Sequence, residues 1–313
     1  MNRRNFINKG AALFVIGATA NKEMFASATS SLMSSSSEEM LASAAAKRNK
    51  GRLGFQLYGV RKALETDFIG GLKKLSAIGF SEVETFGPYE EKFYGRSMKE
   101  LDVIVKDLGM SISGTHYQGW KMLPEDTNSP EWDNWKYCIS ELNSVKCKWA
   151  IQASMPGGEL KSMDDIKRVT AHFNRTGELC KKNGLKFAFH NHPQDFKVID
   201  GVCAFDYILK NTDPKLVSFQ VDFGNIINVG RDCVQILREN PGRFPLWHTT
   251  DYDAAARKSM LAGEGDVPFP ALMEQAKPLG LEVLTVELHT DPDNYDSVKK
   301  VFDYMKQFKW TKA

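Results

Sequence analysis

Phe187-Ala188-Phe189-His190-Asn191-His192-Pro193-Gln194-Asp195-Phe196 begins as a buried strand and ends in side chains that an apolar core does not tolerate. The apolar run over 185–189 has the length of a strand. Two histidines and an amide follow it, and Pro193 then stops the ladder. A histidine suits an apolar interior poorly, because each ring nitrogen needs a partner. It suits a metal ion well. Three later apolar runs finish in a similar way: Phe219-Gln220-Val221-Asp222, Pro245-Leu246-Trp247-His248 and Leu284-Thr285-Val286-Glu287. Four strands that end on His, Asp, His and Glu point to one shared site.

Units of the same kind lie on both sides. Apolar strands are predicted at 53–57, 82–84, 110–116, 149–151, 185–189, 217–222, 244–248 and 283–287. Helices are predicted at 67–78, 98–108, 132–142, 166–182, 202–209, 234–238, 270–276 and 295–305. In the first helix Phe68, Leu72, Leu75 and Ile78 recur at helical spacing, and Gly79 closes it. Gly109 and Asn183-Gly184 close two others in the same manner. Continuous apolar strands alternating with helices make a parallel sheet covered by helices. Eight such units over roughly 260 residues are the size of a TIM barrel. A doubly wound open sheet would usually carry a Gly-rich phosphate loop after its first strand. Tyr58-Gly59-Val60-Arg61 stands there instead. The expected fold is therefore an α/β protein, a (β/α)8 TIM barrel spanning 51–313.

Composition narrows the function. Lys and Arg number 41 against 39 Asp and Glu, a net charge of +2 without long basic blocks, so no nucleic-acid partner is expected. No apolar run approaches the roughly 20 residues of a membrane-spanning helix. The five cysteines are scattered and form no CxxC pair. They read as small buried hydrophobes, not as a disulfide frame or a thiolate site.

Residues 1–50 differ in texture from the rest. Arg3-Arg4 precede Asn5-Phe6-Ile7 and the short apolar stretch Ala11-Ala12-Leu13-Phe14-Val15-Ile16-Gly17. The order resembles a twin-arginine export signal, with Asn2 where Ser or Thr is usual. Small-x-small sites follow at Ala18-Thr19-Ala20 and Ala26-Ser27-Ala28, and the Ser/Ala-rich segment 30–46 reads as a disordered linker. A periplasmic location is expected, with no membrane association once the signal is removed.

In a TIM barrel the site lies at the carboxyl ends of the strands. The polar residues there are Glu84, His116, His190, Asp222, His248 and Glu287. His190, Asp222, His248 and Glu287 come from four consecutive strands and suit one divalent ion, Mn, Zn, Co or Mg, with positions left for substrate oxygens. Glu84 reads as a buried partner of a ligand imidazole, within the substrate-binding group. His116 is either a satisfied core histidine or a substrate contact. His192 lies one strand period beyond His190. Asp251 is either a turn residue, like Asp253, or a group that orients His248 or meets a hydroxyl. Lys258 and Glu264, in the loop after the seventh strand, are expected to bind substrate. His172 and His289 are expected to be structural or on the surface.

From about Gly54 onward the chain resembles the xylose isomerase-like TIM barrels of the sugar phosphate isomerase/epimerase group. The group includes tagatose and psicose epimerases, hydroxypyruvate isomerases, inosose dehydratase and endonuclease IV. The resemblance is carried by Gly54-Phe55-Gln56-Leu57-Tyr58, Gly79-Phe80-Ser81-Glu82-Val83-Glu84, Gly114-Thr115-His116 and His190-Asn191-His192-Pro193. It continues in Val221-Asp222-Phe223-Gly224-Asn225, His248-Thr249-Thr250-Asp251, Gly263-Glu264-Gly265-Asp266-Val267 and Val286-Glu287. It implies a metal held by Asp222, His248 and Glu287. The fourth ligand in such epimerases is a Glu, and His190 stands in its place. Those two glutamates also form the acid–base pair, so the departure implies that Glu287 shares proton transfer with a histidine, His116 or His192.

The implied activity is isomerisation or epimerisation of a keto-sugar or polyol through an enediolate. A sugar lyase or dehydratase is the alternative, followed by a sugar-binding barrel without catalysis. A phosphodiesterase like endonuclease IV would need a metal cluster and a basic surface, and +2 does not favour it. The expected partner is a small sugar, with a homo-oligomer left open.

Overall fold

A computed structural model describes residues 52–88, 91–117 and 119–310. The expected export signal and linker over 1–50 lie outside the described residues. Eight parallel strands close into a barrel: β1 Leu53–Gln56, β2 Glu82–Phe86, β3 Ser111–Tyr117, β4 Trp149–Gln152, β5 Lys186–His190, β6 Val217–Asp222, β7 Leu246–His248 and β8 Val283–Val286. Each strand pairs with its neighbours in sequence, and β1 pairs with β8 to close the ring, Leu53 opposite Leu284 and Phe55 opposite Val286. One irregularity, between Val83 and Glu84, shifts the register of β2 against β3.

Helices cover the ring: α1 Phe68–Ile78, α2 Met98–Asp107, α3 Asp133–Ser144, α4 Met163–Lys182, α5 Ala204–Asn211, α6 Cys233–Glu239, α7 Phe269–Glu274 and α8 Tyr295–Met305. The longest, α4, starts on a capping box in which Ser162 and Asp165 satisfy each other's backbone N–H. Gly79 ends α1 at φ 121°, a conformation that a side chain would strain. Several bounds move by a few residues from the sequence reading. The expected helix over 202–209 begins as the strand Val202–Cys203, paired with Val198–Ile199, and turns helical at Ala204. A second hairpin joins Asp251–Asp253 to Lys258–Met260, and Leu57–Val60 and Arg61–Thr66 form short helices before α1.

The alternation along each strand separates two interiors. Phe55, Val83, Ala150, Phe187, Phe189, Phe219, Val221, Trp247, Leu284 and Val286 join the large apolar cluster shared with the helices. Residues of the opposite parity, Trp149, Ile151, Ala188, Leu246 and Val283, form a small separate cluster inside the ring. The same inward parity continues to His190, Asp222, His248 and Glu287. Toward the carboxyl ends, therefore, the barrel is filled by polar side chains.

Candidate metal centre

Glu84 is the hub of that polar layer. It is 1% exposed. Gln56 Nε2 donates to its Oε1 at 2.7 Å and Gln220 Nε2 to its Oε2 at 2.7 Å. His116 Nε2 and His248 Nε2 reach Oε1 at 2.9 and 2.7 Å. Side chains from β1, β3, β6 and β7 thus converge on one carboxylate of β2.

A carboxylate only accepts, so the Gln220 amide must turn its NH2 to Glu84 and its oxygen to the histidines. That oxygen faces His116 Nε2 at 2.7 Å and His190 Nδ1 at 3.0 Å. His190 therefore carries its proton on Nδ1, which leaves a lone pair on Nε2. Burial, and then the neighbouring His192 and His248, hold the His190 pKa well below the usual imidazole range, so the ring is neutral. A neutral ring whose other nitrogen is held is the form that binds a metal.

His248 is fully buried between two carboxylates, with Nδ1 2.8 Å from Glu287 Oε2. Burial opposes its charge, but Glu84 and Glu287 outweigh burial and push its pKa up to about 10. Burial likewise opposes ionisation of Glu287, and His289 and His248 overcome it, holding the carboxyl well below its ordinary value. Burial raises Asp222. Its Oδ1 accepts from Asn225 N–H at 2.8 Å and from the Thr250 hydroxyl, and so caps the short helix Phe223–Asn228. Its Oδ2 has no hydrogen-bond partner among the described residues.

Donor atoms of His190, Asp222, His248 and Glu287 all lie within 4.8 Å of one another, and those of His116, His190 and His248 form a second group at the same spacing. The buried unpartnered Oδ2 of Asp222 and a set of two imidazoles and two carboxylates fit a divalent ion. Among these residues sequence reasoning had grouped the same four. It had not found Gln220 or Gln56, which fix the proton positions.

A cavity of about 360 Å³ opens above the cluster. His116, His190, His192 and Glu287 line it. So does His289, whose Nε2 is 3.3 Å from Glu287 Oε2 and 3.7 Å from Asp222 Oδ2. The reading of His289 as structural or surface is corrected here: it stands two residues past Glu287, and the chain turns its ring back over the site. Burial lowers its pKa, but Glu287 and Asp222 raise it to about 9. Burial lowers His192 to about 4, with Glu287 opposing the shift. Tyr58, Arg61, Trp120 and Gln194, which sequence reasoning also passed over, are part of the wall. His172 is buried in α4, its ring stacked on Trp132.

The four residues expected to contact substrate lie elsewhere, Glu84 as the buried hub of the polar layer. Asp251, Lys258 and Glu264 do not line this cavity. Asp251 is 1% exposed, and its two oxygens accept from the N–H groups of Tyr252, Gly263, Gly265 and Val267. It clamps the loop after β7, which leaves His248 to be oriented by Glu84 and Glu287. Lys258 is exposed on the hairpin, and Glu264 pairs with Lys300 on α8.

Comparison with known proteins bears on this geometry. A family profile described as xylose isomerase-like TIM barrel matches residues 72–308. A crystal structure of a sugar phosphate isomerase/epimerase from Parabacteroides distasonis is 27% identical, covers 82% of this chain and 93% of its own, and superposes with a TM-score of 0.72. An inosose dehydratase of Clostridium perfringens is 22% identical over 74% of each chain. A xylose isomerase-like TIM barrel protein from Mycobacterium smegmatis, solved in complex with magnesium, covers 84% of this chain and 97% of its own at 13% identity and a TM-score of 0.61. At that identity the likeness shows the fold alone.

Proposed function

The chain belongs to the xylose isomerase-like TIM barrel family, and from that premise we propose that it is a metal-dependent isomerase or epimerase of a keto-sugar or polyol. One observation carries the reading: His190, Asp222, His248 and Glu287 bring their donor atoms within 4.8 Å of one another beneath an open cavity. These four would hold one divalent ion, Mn, Zn, Co or Mg, which when bound polarises a carbonyl and makes the adjacent C–H acidic.

The remaining work falls to the chain. Glu287 and His192 line the cavity and serve as the acid–base pair. Burial keeps the His192 ring neutral and Glu287 opposes that shift, so a ring lone pair is free to take a proton that the neighbouring carboxylate helps to hold. His116, tied to Gln220 and Glu84, fits a positioning role better than a proton-transfer role. His289, 3.3 Å from Glu287, orients that carboxylate. Arg61 and Tyr58 are placed to meet substrate oxygens at the rim.

A second reading is elimination of water from the same kind of substrate. The histidine at position 190 favours it, because the site then lacks the symmetric glutamate pair that the family resemblance implies for epimerases. The dehydratase relative points the same way.

Exposing the metal-loaded protein to a panel of keto-sugars in D2O tests both. We expect deuterium to enter the carbon beside the carbonyl, and Glu287→Gln to slow this by about 10²–10⁴-fold. An epimer or isomer as product supports the first reading, and loss of water supports the second. A metal-loaded protein that exchanges no proton with any sugar would refute both and leave a sugar-binding barrel.

A further inference from the structure

A second, larger hollow of about 770 Å³ adjoins the cavity above the metal cluster. Trp120 and Gln194 line both, so the two spaces share a wall. The larger one is mostly apolar, with Met155, Leu160, Phe196 and Val198 along it. Trp120 is 63% exposed and Val198 63% exposed, the two most exposed large hydrophobic side chains described. Exposed apolar groups beside a polar site mark a place for ligand.

The Trp120 ring is presented on a pinned backbone. Gly157 N–H donates to the Trp120 carbonyl at 2.8 Å, and Gln152 Nε2 donates to the Gly119 carbonyl at 2.6 Å. Both cations that line the hollow are already paired. Lys197 Nζ lies 2.7 Å from Glu159, and Arg231 makes two contacts of 2.8 and 2.9 Å with Asp206. Asp195, buried at the floor, accepts from His192 N–H at 2.7 Å. Neither of these two lining cations is free to hold a phosphate, and Asp195 adds an acidic group, so the lining suits a neutral occupant better than an anion. A flat aromatic ring suits a surface made of Trp, Phe and Met.

We propose that this hollow is a substituent subsite: the substrate is a sugar that carries a neutral aromatic aglycone, its sugar ring over the metal cluster and its aglycone against Trp120. The proposal rests on the reading of the adjoining cavity as a sugar site. A free monosaccharide would leave the larger hollow unused, whereas an aryl glycoside fills both.

The test compares keto-hexoses bearing a methyl, a phenyl or a glucosyl group at the anomeric oxygen, with the full metal-loaded chain. We expect kcat/KM for the phenyl compound to exceed that for the methyl compound roughly 10-fold or more, the scale of an added group in an apolar pocket. Trp120→Ala should reduce the ratio to about twofold or less. Trp120 is exposed, so the variant is expected to fold, and circular dichroism checks it. A wild-type ratio already near one overturns the subsite while the sugar reading stands. A glucosyl compound preferred over the phenyl one makes the hollow a carbohydrate subsite, which also overturns the proposal. If no sugar is turned over, the functional reading fails separately, and binding decides the subsite. Saturation transfer from the protein to the ring protons of phenyl β-glucoside, abolished by Trp120→Ala, supports it. Absence of that transfer overturns it.

Discussion

His248 shows what the polar layer does before a cation arrives. Glu84 and Glu287 hold its pKa up at about 10 against the opposing effect of burial, so the ring is an imidazolium at neutral pH. A metal needs the neutral ring. Glu84 keeps Nε2, and Nδ1, which faces Glu287, is the nitrogen that must give up its proton. Metal binding should therefore release a proton, and affinity should fall as pH drops, because protonation competes for the same nitrogen. Calorimetric titration with Mn²⁺ in buffers of different ionisation enthalpy measures the proton count. A count of zero at pH 7 would contradict a cationic His248. The grouping of His190, Asp222, His248 and Glu287 was legible because each ends an apolar run. Gln56 and Gln220 were not, since an amide inside a buried strand carries no mark of which side chains it will meet. His289 was missed because the path of a chain beyond a strand end is set by loop backbone, which periodicity does not report.

At the level of elements, the eight strand–helix units were readable from spacing and from the glycines that close the helices. The two hairpins were not: runs of two or three residues are too short to show a period. Asp251 illustrates the cost of that gap. Its position after β7 suggested a contact with substrate, yet it accepts from four backbone N–H groups and fixes the loop through Val267. Asp251→Ala should lower stability by roughly 2–4 kcal/mol, since several buried donors lose a charged acceptor at once. Urea unfolding measures this, and a change below about 0.5 kcal/mol, the range of ordinary surface substitutions, would show the clamp to be idle. Helix α4 carries a second test. Burial lowers the His172 pKa to about 4, below the usual 6.5 of the unfolded chain. The unfolded chain therefore binds the proton first, and stability present above pH 6.5 is lost as pH falls toward 4. The change from pH 7 to pH 5 should be about 2 kcal/mol from this group. His172→Gln should flatten that part of the profile, and an unchanged slope would assign it to other groups.

For the molecule as a whole, the thiols and the N-terminal sequence bear on the same question. Cys138, Cys147, Cys180 and Cys233 are buried and Cys203 is half-buried, all free. Burial pushes Cys147 and Cys233 up to about 12, so their nucleophilic form is scarce. Such a chain tolerates an oxidising compartment. We propose that residues 1–50 direct export and are removed, with the mature chain starting near Gly51. N-terminal sequencing from fractionated cells checks it, and an intact Met1 on protein confined to the cytoplasm would refute it. The ring itself closes where β1 meets β8, reinforced by Ala63 N–H on Asp293 Oδ1, a contact 230 residues apart in sequence. That seam sets an order in time. A chain emerging from the ribosome makes β1 first of the eight strands and its partner β8 last. Throughout synthesis the sheet keeps an unpaired edge, open to pairing with other chains. The last strand is thus also what ends the nascent protein's exposure to its neighbours.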